Sequence, residues 1–573
     1  MKYNNILNKV MGVALAALSL TACTDTWNDH YDAANGLNGG VDATLWQTIS
    51  TDQQFSNFAK VVKACGYDKA LNSSQMFTVF APTNSNFTLE EADKLIETYN
   101  AEKAAGIIER DNSTVKEFIH NHIALYNYSV SSNSNDSIVM MNGKYSVLTN
   151  NTFGGQTLEK ANVLHNNGVL FTLSNKVDYF PNVFEYLRTD RDLDSVANFL
   201  HGFSIYEFDA SQSVPGGIVN GQTVYLDSVF VLQNELFYQI GRINSEDSTY
   251  WMVAPTNEVW KTLVDEYSNY FIYAPEKGES EVAKRERDSL TYHMPRMAVV
   301  YGTVFSRTNN SDAAIQDSAL SVNATPYQYR EQTYGFDDVA YYQYLKPFAP
   351  GGVFYGTENI TTSNGQVMKA ATWNINKLQT FYQSIKIEAE NIYNQKEDTT
   401  NVTTIDPLAT VRVPSSNPFY DKVSGNTYVE IAPVGPAAMP YAKFYLPNTY
   451  SNIPYDVYAV IAPAIAGDTL ASEYQRKPNK IRVELEYTKA DGTDAKTEVL
   501  VSSKETRPDV MDTILIKSGL TLPACSYGLT GDKKPKAALK ISNRASNAEA
   551  NTRKTHTKTI RVDCLILRPQ GLN

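Results

Sequence analysis

The sequence predicts an α+β chain: two consecutive modules that mix helices and strands, followed by an all-β sandwich domain. Three observations predict it. Ala-Pro-Thr-Asn closes a short apolar strand at Ala81–Asn84 and again at Ala254–Asn257, 173 residues apart, the spacing of tandem domains. Apolar residues recur at three- and four-residue intervals ahead of the first copy (Phe55, Phe58, Val61, Val62), so a helix packs there. From Ser384 the pattern changes to alternation, with Pro, Gly and Asn between the runs. The chain has 573 residues, 42% hydrophobic and 20% charged, which is globular and too long for one core. The segments read as 1–22 leader, 23–42 tether, 43–189 first module, 190–383 second module with insertions, and 384–573 β-domain. A net charge of -12 argues against nucleic acid, which needs a dense cationic face.

The leader carries Lys2 and Lys9 ahead of an apolar run from Val10 to Leu20. That length falls within the ~7–15 residues of a signal-peptide core and is too short to cross ~30 Å of hydrocarbon. Leu20-Thr21-Ala22-Cys23 resembles the bacterial lipobox, which implies a diacylglycerol thioether on Cys23. Asp25, Asp29 and Asp32 follow closely and resemble the export tag of surface lipoproteins. The expected location is the outer membrane, lipid-anchored and facing outward. Each buried CH₂ of such an anchor contributes ~0.8 kcal/mol. The rest of 23–42 is polar and Gly/Asn-containing, a flexible tether.

In the first module Thr51 or Ser50 is placed to cap the helix that carries Phe55 to Val62. Phe77 to Phe80 reads as a buried strand that Pro82 ends, with Thr83 or Asn84 capping the turn after it. Thr78-Val79-Phe80-Ala81-Pro82-Thr83-Asn84 with Phe87 resembles the first signature of fasciclin domains. Val115 to Ile123, with His120 and His122, resembles the family's histidine segment, and Asn166 to Leu173 its closing strand. Phe171 stands where many members have histidine. Tyr250 to Trp260 repeats the first signature, Leu290 to His293 echoes the second, and Asn364 to Lys369 echoes the third faintly. The extra stretches Gly217–Phe237 and 327–356 read as insertions, favoured places for binding loops.

In the last domain seven runs alternate, from Ile385 to Glu390 through to Thr559–Leu567, which predicts a β-sandwich. Ile387-Glu388-Ala389-Glu390 and Arg561 to Pro569 resemble the opening and closing strands of galactose-binding-type jelly rolls. That resemblance implies a sugar-binding fold in which an early glutamate sometimes helps to hold calcium. Calcium wants about six or more oxygens and one strand supplies too few, so no metal site is assigned. Cys65 reads as a buried small hydrophobe. Cys525 and Cys564 share the last domain, and an oxidising compartment allows them to pair.

No catalytic constellation, cofactor or metal is assigned. His120 and His122, placed two apart on a strand, share a face but lack a third ligand. Glu388 and Glu390 also share a face and resemble an acid/base pair, yet a hydrolase needs them across a cleft. Gly154-Gly155 and Gly351-Gly352 lack the lysine of a phosphate loop. The fasciclin resemblance implies adhesion and capture of a glycan or peptide. Lipoproteins of this build look like accessory subunits beside a TonB-dependent transporter. A structural clamp on other surface proteins is the alternative, and a polysaccharide hydrolase the least supported. Among the 37 tyrosines, Tyr341, Tyr342 and Tyr344 are the expected stacking platform for sugar.

Overall fold

A computed structural model describes residues 40–571 apart from 209, 211–213, 220–221, 228–229, 323–328, 333–334, 339–340, 391–408, 530–532 and 534. The leader, Cys23 and nearly all of the tether lie outside the described residues. The chain divides into two compact units, Met1–Pro181 and Asn182–Asn573.

The first unit is built on a seven-stranded sheet. Its order is Ile123–Leu125, Phe77–Pro82, Gly168–Leu173, Gln156–His165, Thr152–Phe153, Tyr145–Thr149, Asn135–Val139. Phe77–Pro82 and Gly168–Leu173 run parallel and are buried on both faces, so each reads as a continuous apolar run. On one face the helices Leu45–Thr51 and Ser56–Ala64 bring Leu45, Ile49, Phe58, Val61 and Val62 against Val79 and Leu170. On the other, Phe80 stacks between Phe153, 3.6 Å away, and Phe171. Phe171, where the fasciclin resemblance leads one to expect a histidine, thus belongs to an aromatic stack. Cys65 is buried as expected. Two expected caps fall elsewhere. Thr51 ends the first helix, its hydroxyl donating to the Gln47 carbonyl, and Asp52 caps the following turn by accepting from Gln54 N–H. Asn84 serves the preceding helix rather than the following turn: its Oδ1 accepts from Asn57 N–H and its Nδ2 donates to Gln53 O.

The second unit opens with the same plan. Its sheet runs Val304–Ser306, Tyr250–Pro255, Gly365–Ala370, Glu358–Thr362, with the two central strands parallel. Three atomic details repeat between units. Asn257 does what Asn84 does, accepting from Ser195 N–H and donating to Arg191 O. Asn167 accepts from Leu45 N–H and donates to Leu71 O and Ser73 O, while Asn364 accepts from Val183 N–H and donates to Ile243 O and Ser245 O. The glycine after each asparagine has a positive φ, +151° at Gly168 and +146° at Gly365. A Cβ there would stand 2.0 Å from Phe77 O and 1.8 Å from Tyr250 O, so only glycine lets the parallel strands close. The closing segment, faint as a motif, is therefore a full structural repeat. The insertions are two-stranded ribbons: Ser204–Phe208 with Phe230–Asn234, Val214–Val219 with Gln222–Asp227, and Tyr329–Gln332 with Gly335–Asp338.

The rest of the second unit is two facing sheets. One runs Ala409–Arg412, Thr427–Ile431, Ile560–Pro569, Tyr455–Ile461, Asp512–Leu520, with Ile385–Glu388 also paired to Ile560–Pro569. The other runs Tyr441–Tyr445, Ala537–Asn543, Lys480–Tyr487, Glu498–Glu505. Alternate residues such as Ile481, Val483, Leu485 and Val457, Ala459 turn inward between them. The second module and the sandwich share one core. At their junction Phe271 and Phe381 meet Tyr450, which stacks on Tyr527 at 5.0 Å. Tyr273 donates to Tyr527 O and Ser451 to Asn269 O, both at 2.9 Å. Part of the tyrosine abundance is spent here, where a large ring with a polar tip can bridge two packed elements.

Candidate functional site

The expected aromatic platform does not form. Tyr341 is 46% exposed, but Tyr342 and Tyr344 are buried. They belong to the strand segment Gln343–Leu345 and its approach, where successive side chains alternate, so Leu345 is 70% exposed while Tyr344 points inward and donates to Gly302 O at 2.9 Å. Gly302 leaves room for both rings; a Cβ there would lie 2.5 Å from each.

The histidine pair is also not a ligand pair. His120–His122 closes a helical segment and the strand begins only at Ile123, so the two rings diverge. His122 is buried, with Nδ1 2.8 Å from Phe118 O and Nε2 accepting from Val177 N–H at 2.9 Å. His120 Nε2 lies 2.6 Å from the Tyr67 hydroxyl. Burial lowers both to about 4.

Cys525 and Cys564 are separate thiols. Cys525 packs in the main core beside Tyr273 and Tyr527; Cys564 packs with Val460 and Ile566. Being held by different clusters, they do not form the expected bond.

Two arrangements in the sandwich have chemical character. The first is a shallow cleft with a cavity volume of about 20 Å³, where the two sheets part at one end. Its walls come from Ile461–Ala464, Gln475–Ile481, Thr506–Pro508 and Thr557–Arg561. Lys477, Arg507 and Arg561 line it, each ion-paired to a carboxylate beside it: Glu473, Asp512 and Glu430. Asp512 orients Arg507 through Nε at 2.7 Å and leaves the side chain 66% exposed. Asn479 is 4% exposed; its Nδ2 donates to Thr559 O at 2.8 Å, and its Oδ1 is buried with no partner. An acceptor left unmade in this way costs about 1–3 kcal/mol. None of these residues was singled out from the sequence. They arrive from separate loops and strands, and no local motif joins them.

The second is a carboxylate cluster. Lys386 and Glu388 lie on the outward face of Ile385–Glu388, whose Ile385 and Ile387 face the core, and Glu390 follows two residues on. Asp563 joins them from Ile560–Pro569. That strand bulges where Val460 pairs with Cys564 but Ile461 with Val562, so Asp563 is the extra residue, sitting where two strands share one partner. Its carboxylate accepts from Ser424 N–H at 3.1 Å. Ser424 Oγ donates to Glu388 Oε1 at 2.6 Å, and Thr427 Oγ1 donates to Glu390 Oε1. Lys386 Nζ contacts Glu388 Oε1 and Ser424 Oγ. The second oxygens of Glu388 and Glu390 are buried without partners. Burial, reinforced by the charges of Glu388 and Glu390, pushes Asp563 up to about 8, and burial also raises Glu390. Asp563 is thereby held mostly neutral at pH 7, and Glu388 and Glu390 share the one ammonium of Lys386. Glu388, Asp563 and Cys564 offer atoms within 4.8 Å of one another. Burial pushes the Cys564 thiol well up, so the usable donors are oxygens, the set a hard divalent cation prefers. The calcium implied by the jelly-roll resemblance therefore fits: Glu388 and Asp563 would hold it, with Glu390 and the Ser424 and Thr427 hydroxyls beside them. Its chemistry there would be charge neutralisation that ties the first strand to the last.

The fasciclin domain family model matches residues 53–175. Among solved structures, the FAS1 domain pair of the insect cell adhesion molecule fasciclin I is 11% identical, covering 57% of this chain and 99% of its own, with a TM-score of 0.18. The C-terminal family 22 carbohydrate-binding module of Clostridium thermocellum Xyn10B is 10% identical over 34% of this chain and 96% of its own, TM-score 0.18. A family 35 carbohydrate-binding module from Clostridium thermocellum is 12% identical over 32% and 97%, TM-score 0.16. At these scores the alignments carry no weight for site or ligand. No curated protein matches the chain. The fold class is α+β, with a fasciclin domain at 53–175 and a C-terminal all-β region.

Proposed function

We propose that this chain is a non-enzymatic surface lipoprotein that captures acidic glycans, anchored through acylated Cys23 on the outer face of an outer membrane and serving an uptake system beside a TonB-dependent transporter. The observation that carries the reading is the sandwich cleft, with the unpaired Asn479 acceptor and the Arg507 side chain, which stays exposed beyond its ion pair with Asp512. A sugar hydroxyl would complete Asn479, and a carboxylate or sulfate on the same residue would meet Arg507. The second module and the sandwich share one core, so the module frames the domain that carries the cleft. The hydrolytic alternative loses support because Glu388 and Glu390 are tied to Ser424, Thr427 and Lys386 in a buried cluster.

One experiment tests anchor and cleft together: cells displaying the full chain are incubated with a labelled uronate-bearing polysaccharide. Wild type should retain it. Asn479→Leu and Arg507→Ala should reduce retention at least tenfold while the protein stays on the surface, and Cys23→Ala should release the protein itself. Undiminished retention by Arg507→Ala refutes the cleft; a Cys23→Ala chain that remains membrane-bound refutes the anchor.

A further inference from the structure

The carboxylate cluster already contains a cation. On one strand face Lys386 stands two residues before Glu388, and its side chain, 8% exposed, folds back so that Nζ meets Glu388 Oε1 and Ser424 Oγ. Those are groups a divalent ion at Glu388 and Asp563 would approach. A lysine stem of four carbons spans the distance between alternate residues, so the ammonium reaches the cluster without distorting the strand. Buried ammonium groups persist only where anions pay for their desolvation, and here Glu388 does so. The remaining Glu388 and Glu390 oxygens stay unpartnered, so the ammonium fills the cluster only in part.

We propose that Lys386 is a built-in competitor for the divalent cation: its ammonium holds the first strand against the last when metal is scarce, and calcium binds by displacing it. One +2 ion compensates more of the cluster's charge than one ammonium does, but it must also expel a group tethered at high effective concentration. The sandwich is thereby folded with or without metal, and its calcium affinity is set low by its own side chain. The inference concerns a cluster that shares no residue with the cleft, so it stands or falls independently of glycan capture.

Two measurements test it on the full chain. In the first, calcium binding is followed by calorimetry for wild type, Lys386→Met and Lys386→Gln. Both variants should bind at least tenfold more tightly than wild type, and EDTA should lower their melting temperature more than that of wild type. Equal or weaker binding by the variants, or no calcium binding by any chain, overturns the proposal. The second uses wild type alone, so it does not depend on the variants folding. Lys386 labelling by an amine-reactive ester, read by mass spectrometry, should rise several-fold when calcium replaces EDTA. Labelling that stays the same or falls overturns the proposal.

Discussion

Acidification from pH 7 to pH 5 should loosen the first unit far more than the second. The cause is a pair of histidines that fold neutral. Both ring nitrogens of His122 are committed, Nδ1 to Phe118 O and Nε2 as acceptor from Val177 N–H. A proton on Nε2 would set one N–H against another inside a buried site. Burial is the main cause that brings His122 to about 4, opposed in part by the Phe118 carbonyl, and burial alone brings His120 to about 4. In the unfolded chain both titrate near 6.5. Below 6.5 the unfolded chain binds protons that the native unit refuses, so stability is whole above 6.5 and drains as the pH falls toward 4. At pH 5 each histidine accounts for about 2 kcal/mol, the pair for about 4. His165, lowered by burial, adds in the same direction. For a unit of this size the loss lowers the melting temperature by roughly 10 °C or more. Hydrogen exchange on the full chain separates the units, since peptides from 43–181 should lose protection between pH 6.5 and 5 while those from the sandwich keep theirs. Ordinary carboxylates scarcely titrate in that window, so they cannot mimic the effect. His122→Gln should be less stable at pH 7 yet show about half the pH slope. Equal protection of the first unit at pH 7 and pH 5, or an unchanged slope in the variant, would refute the reasoning.

Two further outcomes follow from packing. Gly365→Ala and Gly168→Ala each place a Cβ within about bonding distance of a partner carbonyl, so each should cost about 3 kcal/mol or more in its own unit, measured by urea unfolding; a cost near zero would mean the parallel strands are not in this register. Tyr344→Ala should cost about 3–5 kcal/mol and Tyr341→Ala within about 0.5 kcal/mol by thermal unfolding, the contrast expected of one inward and one outward ring; similar losses for both would contradict the strand alternation.

The fold was legible where local chemistry and tertiary role coincide. Ala-Pro-Thr-Asn is such a place, because proline ends the strand and asparagine has one helix end to satisfy. The parallel strands were legible as apolar runs, since burial on both faces removes alternation. The strand Asp512–Leu520 was not, because Ile514, Leu515 and Ile516 are all apolar although only alternate residues face inward. Glu498–Glu505 escaped notice as a mostly exposed edge strand with no buried face to imprint a pattern. The tyrosine cluster was misread for a related reason: aromatic density says a surface is being covered, and only the alternation within 341–345 says which rings do the covering. The histidines were misread because the helix runs three residues further than the β-rich surroundings suggest.

The carboxylate cluster shows most clearly what a single pass along the chain can and cannot reach. Lys386, Glu388 and Glu390 repeat at intervals of two, and strand periodicity alone puts the first two on one face. What turns that face into a site is Asp563, some 175 residues later, delivered by one extra residue in the last strand. Val562 and Leu565 both face the core although three residues separate them, and the bulge absorbs the odd residue so that Asp563 and Cys564 both stay off the core. The bulge therefore sets Asp563 and Cys564 side by side against Glu388 and closes a ring of carboxyl groups around the first strand. Opening and closing strands of the domain meet at that ring, so whatever neutralises it, ammonium or metal, also fastens the two ends of the domain. That is why Lys386, and not the carboxylates, is the residue whose replacement tells most about the domain: removing an acid weakens every cation alike, whereas removing the ammonium sets the two cations apart.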